Sequence, residues 1–215
     1  MGTDEVYHVT TKSIAQYVVF NDETEYERMK QLIQYYQIAD FPVRYSFFNA
    51  WQKDKKEKLI SEKCNRDEEK LVRIIAYCLM PTHVHLILQQ VQEKGISIYM
   101  NRVLNSYTRY FNIKHRRKGP LWEGRFKRIL VATDEQLIHL TRYIHLNPVT
   151  AYIVNLPEEW RFSSYSEYIE KVDDKNRISD FGILLEIKPE KYRQFTNDQI
   201  SYQRELQAIK RLTLE

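Results

Sequence analysis

A chain of 215 residues and 26.1 kDa with 43% hydrophobic residues can bury one sizeable core, which excludes wholesale disorder; five glycines and six prolines exclude collagen-like or linker-dominated chains. The formal net charge of +4 is unevenly spread, with −2 over residues 156–215 and +6 over the rest, a weak pointer toward a polyanionic partner. No apolar run approaches the ~20 residues that span a bilayer, and the N-terminus lacks the basic-then-apolar pattern of a secretory signal, so no membrane partner and a cytoplasmic location are expected.

Val6 to Thr10 is β-rich and predicts a first strand. Asn21 to Glu25 supplies helix-start polarity for a helix to about Tyr36, with Met29, Leu32, Ile33 and Tyr36 on its inner face. Asp40 to Lys70 is mixed, aromatic and then charged, and reads as an insertion with a short helix. Leu71 to Met80 is apolar throughout, as in a central strand; Pro81 and Thr82 break it, and His83 to Leu88 completes a hairpin. Ser97 to His115 predicts a helix burying Met100, Val103, Leu104, Tyr107 and Phe111. After a loop at Gly119 and Pro120, strand character resumes from Arg125 to Ala132. Thr133 and Asp134 cap a further helix that runs to Leu146, with Asn147 and Pro148 as its stop. This order predicts an α+β fold of one antiparallel sheet with helices on one face, spanning residues 1–168. Residues 169–215 are expected to form a solvated, chemically quiet helical extension, and Cys64 and Cys78, with no CxxC pair, to be reduced thiols.

Three features could carry chemistry. On a strand His83 and His85 leave the same face, giving either half of a divalent-metal site or a hydrogen-bonded pair at a sheet edge. A third alternating histidine, as in histidine-triad phosphohydrolases, is missing because that position is Ile87. On the Thr133–Leu146 helix, Leu137, Leu140 and Ile144 form the buried stripe; Gln136, His139, Tyr143 and Asn147 lie on an arc beside it, while Arg142 and His145 point elsewhere. The segment 114–128 holds seven cations, Lys114, Arg116, Arg117, Lys118, Arg125, Lys127 and Arg128, against Glu123 alone. With Trp122 and Phe126 interleaved it suits a phosphate-tracking, base-stacking surface, the bland alternative being a solvated basic loop. In the first reading Trp122 stacks a base while Arg125 and Lys127, two apart at a strand start, hold flanking phosphates.

YCLMPTHVHLIL, SYTRYFN, GPLWEGRFKRILV, LTRYIHLNPVTA and WRFSSYSEY, in this order, resemble the REP-associated tyrosine transposases, IS200-like members of the HUH single-strand nucleases in which U is a hydrophobic residue. The resemblance covers roughly Val6 to Tyr168. It implies a ferredoxin-like (RRM-like) sheet carrying the histidine pair, with His83, His85 and Asn147 as metal ligands and Tyr143 as nucleophile. The implied activity is a metal-dependent single-stranded DNA endonuclease and transposase that cleaves and rejoins DNA near hairpins through a 5′-phosphotyrosine. Mixed imidazole and amide-oxygen ligation suits Mg²⁺ or Mn²⁺, with zinc also compatible. The implied partner is single-stranded, hairpin-containing DNA, bound by a monomer or homodimer. Two departures stand out: Thr82 replaces a common Asn, and the Asp40–Lys70 insertion is long. The competing readings are a catalytically silent nucleic-acid-binding protein that keeps the fold, and a hydrolase that releases a free 5′-phosphate without a covalent adduct.

Overall fold

The computed structural model describes residues 2–213 apart from 42, 65–68, 174–175, 183 and 187. Its sheet has four strands, β1 (Val6–Lys12), β2 (Val72–Met80), β3 (His83–Gln90) and β4 (Lys127–Val131), in the order β2-β3-β1-β4 and antiparallel at every pairing. The two central strands, β1 and β3, are separated by the 70 residues 13–82, so the sheet closes only when α1 (Glu23–Tyr36) and the insertion have folded back over it. Inside the insertion α2 (Tyr45–Asn49) and α3 (Lys53–Cys64) form two helices rather than one, and residues 42 and 65–68 of it lie outside the described set.

Helix α1 starts where Asp22 accepts the Glu25 amide, and it buries Met29, Leu32 and Ile33 as its spacing predicts. Helix α4 (Gly95–Lys114) lies beside it and buries Tyr99, Met100, Val103, Leu104, Tyr107 and Phe111. Together with Val9, Ile74, Tyr77 and Leu86 of the sheet they make the larger core. Gly95 sits so close to the carbonyl of Leu71 that any Cβ there would collide with backbone, which fixes glycine at the start of α4.

The predicted ferredoxin-like sheet, with α1 and α4 on one face, is what the structure contains. The other face is covered as well. Helix α5 (Asp134–Thr150) packs Leu137 and Ile144 against Ile75, Ala76, Cys78, Met80 and Ile87. Behind α5 come α6 (Tyr165–Tyr168), α7 (Pro189–Asn197) and α8 (Ile200–Thr213). Tyr165, Tyr168, Phe181, Leu185 and Tyr192 are buried in the same second core, so the C-terminal residues are not the solvated appendage their polarity suggests. Residues 162–164 also bond along the free edge of β2, through Leu79 N–H to Phe162 O (2.9 Å) and Ser164 N–H to Tyr77 O (2.9 Å). Strand β4 is left as the exposed edge. Cys78 is a buried free thiol; the side chain of Cys64 lies outside the described set. No described helix is long and apolar enough to cross a membrane.

Helix α5 runs past its expected stop. Pro148 lies near its C-terminal end, where a missing N–H removes one ladder bond and little else, and Ala151 N–H to Asn147 O (2.9 Å) closes the last turn. At the other end Thr133 accepts the Gln136 amide (3.1 Å) while Gln136 Oε1 accepts from Ala132 N–H (2.9 Å). Gln136 is therefore part of the cap.

Candidate active site

Side chains on paired residues of an antiparallel sheet leave the same face, so the register lays out the site row by row. Lys12 lies opposite His83; Thr10 lies between His85 and Lys127; His8 lies between Ile87 and Ile129. All of these point to the face that α5 covers, because Ile87 belongs to the α5-side core. Tyr143 reaches this row from α5, its ring edge-on to His85 with centroids 6.1 Å apart; the rings of His83 and His85 are 5.0 Å apart. The expected juxtaposition of the histidine pair and Tyr143 is thus present.

Both imidazoles are held through Nδ1. Thr82 Oγ1 is 3.0 Å from His83 Nδ1, so the threonine supplies a contact at the position where the sequence departs from the family pattern. His8 Nε2 is 3.0 Å from His85 Nδ1, with the two rings stacked at 12°. With protons on Nδ1, His83 donates to Thr82 and His85 donates to His8, and each Nε2 keeps the lone pair a metal requires. Burial holds both imidazoles neutral: His83 is lowered to about 4, helped by Lys12, and His85 is held well below the usual imidazole range by burial and by His83, His8 and Lys12. His8 is lowered by burial.

Asn147, one turn beyond Tyr143, buries its Nδ2, an N–H donor with no hydrogen-bond partner among the described residues; a cation would need its Oδ1 instead. Among the described residues no three of His, Cys, Asp or Glu come close enough to hold a metal unaided. Two neutral imidazoles with their Nε2 lone pairs free fit a divalent cation whose remaining ligands are oxygens, from water, phosphate or the Asn147 amide. Tyr143 is 41% exposed and its hydroxyl is raised above the usual phenol range by burial, so at neutral pH it is a protonated phenol open to a substrate.

The other residues of the α5 arc are occupied elsewhere. His139 contacts Arg142 (2.9 Å) and the Phe195 ring. His145 does point away from that arc, but into protein: it is fully buried, with Nδ1 2.6 Å from Tyr192 Oη and Nε2 2.8 Å from Ser164 Oγ.

The basic segment is corrected in part. Trp122 is 8% exposed, bridges to Ser13 and packs against Tyr107, so it is a core residue and offers no face to a base. Lys114 is tied to Asp22 (2.7 Å) and Glu25 (2.9 Å), joining the end of α4 to the start of α1. Arg117 bonds Asn112 Oδ1 (2.9 Å) and Pro120 O (3.0 Å), which leaves it stapling its own loop. Arg116, Lys118 and Arg125 are exposed on irregular chain; Gly124, at φ 143°, turns the backbone there and delays the strand until Lys127. Lys127 shares the face of the histidines, whereas Arg128, paired with Val9, leaves the opposite one. His8, Thr10 and Lys12 are site neighbours that sequence reading did not single out; only their alternation hinted at a common face.

Comparison with known proteins bears out the resemblance. A curated Haemophilus influenzae protein named as a REP-associated tyrosine transposase is 29% identical over 102 residues, which span 42% of this chain and 57% of that protein. The matched part is therefore little more than half the length of that relative. A solved structure described as a REP-associated tyrosine transposase bound to a REP hairpin matches 86% of this chain and 94% of its own with a TM-score of 0.53 at 16% identity, a likeness of fold. The family model described as IS200-like transposase matches residues 30–147, more than half of the chain and inclusive of His83, His85, Tyr143 and Asn147, and the chain belongs to that family.

Proposed function

We propose that the protein is a metal-dependent single-stranded DNA endonuclease and strand-transferring transposase that works through a 5′-phosphotyrosine at Tyr143. The observation that carries the reading is the meeting of Tyr143 with two neutral, Nδ1-anchored imidazoles across one sheet face. The substrate we infer is single-stranded DNA beside a hairpin, a choice supported by the hairpin that the similar solved protein is described as binding.

Tyr143 Oη attacks the phosphorus of a phosphodiester. The Oη–P bond forms, the P–O3′ bond breaks, the phenolic proton is lost to solvent and the departing 3′ oxygen takes one up. A protonated phenol is a weak nucleophile; Mg²⁺ or Mn²⁺ held by His83, His85 and the Asn147 amide would supply charge neutralisation at the phosphate. Thr82 and His8 orient the two imidazoles, and Lys12 and Lys127 place positive charge on the same face for the flanking phosphates. Because the phosphodiester energy is kept in the tyrosyl ester, attack by a 3′-hydroxyl reverses the step and rejoins strands without ATP.

The test is a covalent-adduct assay on hairpin-flanking single strands with Mn²⁺. The parent should give an adduct that survives denaturation; Tyr143→Phe, or excess chelator, should abolish it while single-strand binding persists. Adduct from Tyr143→Phe overturns the assignment of the nucleophile. Cleavage at full rate in chelator overturns the metal site, turnover without adduct favours a simple hydrolase, and binding without cleavage by the parent favours the silent binding protein.

A further inference from the structure

We infer that the chain carries a second single-stranded nucleic-acid site, on the outer surface of the α1–α4 layer and separated from the histidine pair by the sheet. An open groove of about 1080 Å³ runs between α1, the α2 part of the insertion and the outer side of α4. Four arginines line it, Arg28, Arg44, Arg102 and Arg109, against one carboxylate, Asp40. No carboxylate comes within ion-pair distance of Arg44 or Arg109 among the described residues, and both are exposed.

The groove is built. Arg28 lies 4.6 Å from the ring of Tyr110 and 5.2 Å from that of Tyr45, joining α1 to α4 and α2. Arg102 donates to Ala39 O (2.7 Å), which fixes the start of the insertion against α4. Helix α2 buries Phe48 and turns Phe47 outward, 65% exposed, at the lip of the groove. An exposed phenylalanine beside unpaired guanidinium groups is an unfavourable surface for water and a good one for a polymer that alternates flat apolar faces with anionic links. Exposed Asn101 and Asn105 on α4 add amide donors and acceptors along the same wall. Charge alone would admit an acidic peptide. The exposed ring and the amides favour bases, which stack and present hydrogen-bonding edges, over carboxylate side chains, which do neither. This assigns a role to an insertion that no transposase motif accounts for.

The inference does not require cleavage, so its test is run in the Tyr143→Phe background, where loss of catalysis cannot be mistaken for loss of this site. A fluorescein-labelled oligo-dT is titrated by anisotropy at several salt concentrations against Arg44→Ala/Arg109→Ala and Phe47→Ala. All three positions are exposed, and unchanged melting curves confirm folding. The arginine pair should flatten the log–log salt slope by about 1.4, at roughly 0.7 per lost phosphate contact. Phe47→Ala should weaken binding by about fivefold or more with the slope unchanged. Parental affinity and salt slope in both variants would overturn the proposal. Displacement of the probe by poly-glutamate as effectively as by unlabelled oligo-dT would also overturn it, in favour of an acidic protein partner.

Discussion

Trp122 separates two accounts of the basic segment. As a base-stacking platform it would be dispensable for folding, and Trp122→Ala would cost about 1–3 kcal/mol of binding. The structure instead buries the indole to 8% exposure against Tyr107, within the core between the sheet and α4. Truncating such a ring leaves a cavity and typically costs about 3–5 kcal/mol. The indole Nε1 has no hydrogen-bond partner among the described residues, so its removal loses no bond there and relieves a desolvated N–H, which places the expected loss near the low end, about 3 kcal/mol. With a urea slope of about 2–3 kcal/mol/M the unfolding midpoint should drop by about 1 M or more. Trp122→Phe keeps most of the apolar contact, discards the unpartnered N–H and should cost about 1 kcal/mol or less. Urea melts of the three proteins, set beside oligonucleotide titrations under native conditions, decide the matter. An Ala variant with the parental midpoint and fivefold or greater loss of affinity would refute the core assignment.

His8→Ala should lower Mn²⁺ affinity about 10–100-fold by freeing His85 to rotate, while adduct formation at saturating metal stays near the parent's; metal titration of the adduct yield checks this. Lys127→Ala should flatten the salt slope of DNA binding by about 0.7, and Arg128→Ala, whose side chain leaves the other sheet face, should do so less; anisotropy at several salt concentrations compares them. Burial holds His145 down to about 3, so below its ordinary value near 6.5 the unfolded chain binds a proton that the folded chain does not. Stability present above about pH 6.5 should therefore be lost as pH falls, at up to about 1.4 kcal/mol per pH unit from this group, and urea midpoints from pH 7 to 5 should decline less steeply in His145→Gln than in the parent.

What could be read from sequence followed the range of the signal. The histidine pair depends on strand alternation two residues apart, and the stripe and arc of α5 on helical spacing three and four apart, so both were visible locally. His8 was invisible because its contact with His85 spans 77 residues and is fixed by the β1–β3 register. Trp122 misled for a related reason: it lies in a segment rich in cations, but it bridges to Ser13 and its ring is buried against Tyr107. The aromatic residues of the C-terminal segment could not be assigned to a core without knowing that α5 has two buried sides.

Those two sides explain how Tyr143 is aimed at the histidine pair. Along α5, Leu137 and Ile144 grip the sheet, while His145 is buried against Tyr165, Tyr168 and Tyr192 of the C-terminal segment. His145 is bonded at one nitrogen to Tyr192 of α7 and at the other to Ser164, whose own hydroxyl accepts the Tyr77 amide of β2. The helix is thus clamped from behind to the strand beside β3, the strand that carries His83 and His85. Tyr143 is exposed enough to meet a phosphate yet sits on a backbone that can neither roll nor slide without breaking one of these contacts. A phenol that gains nothing from a lowered pKa has to gain from position, and a displacement of about 1 Å at a reacting centre can cost a hundredfold in rate. The C-terminal segment, although it carries none of the groups placed in the proposed reaction, is in this structure what holds Tyr143 beside His83 and His85.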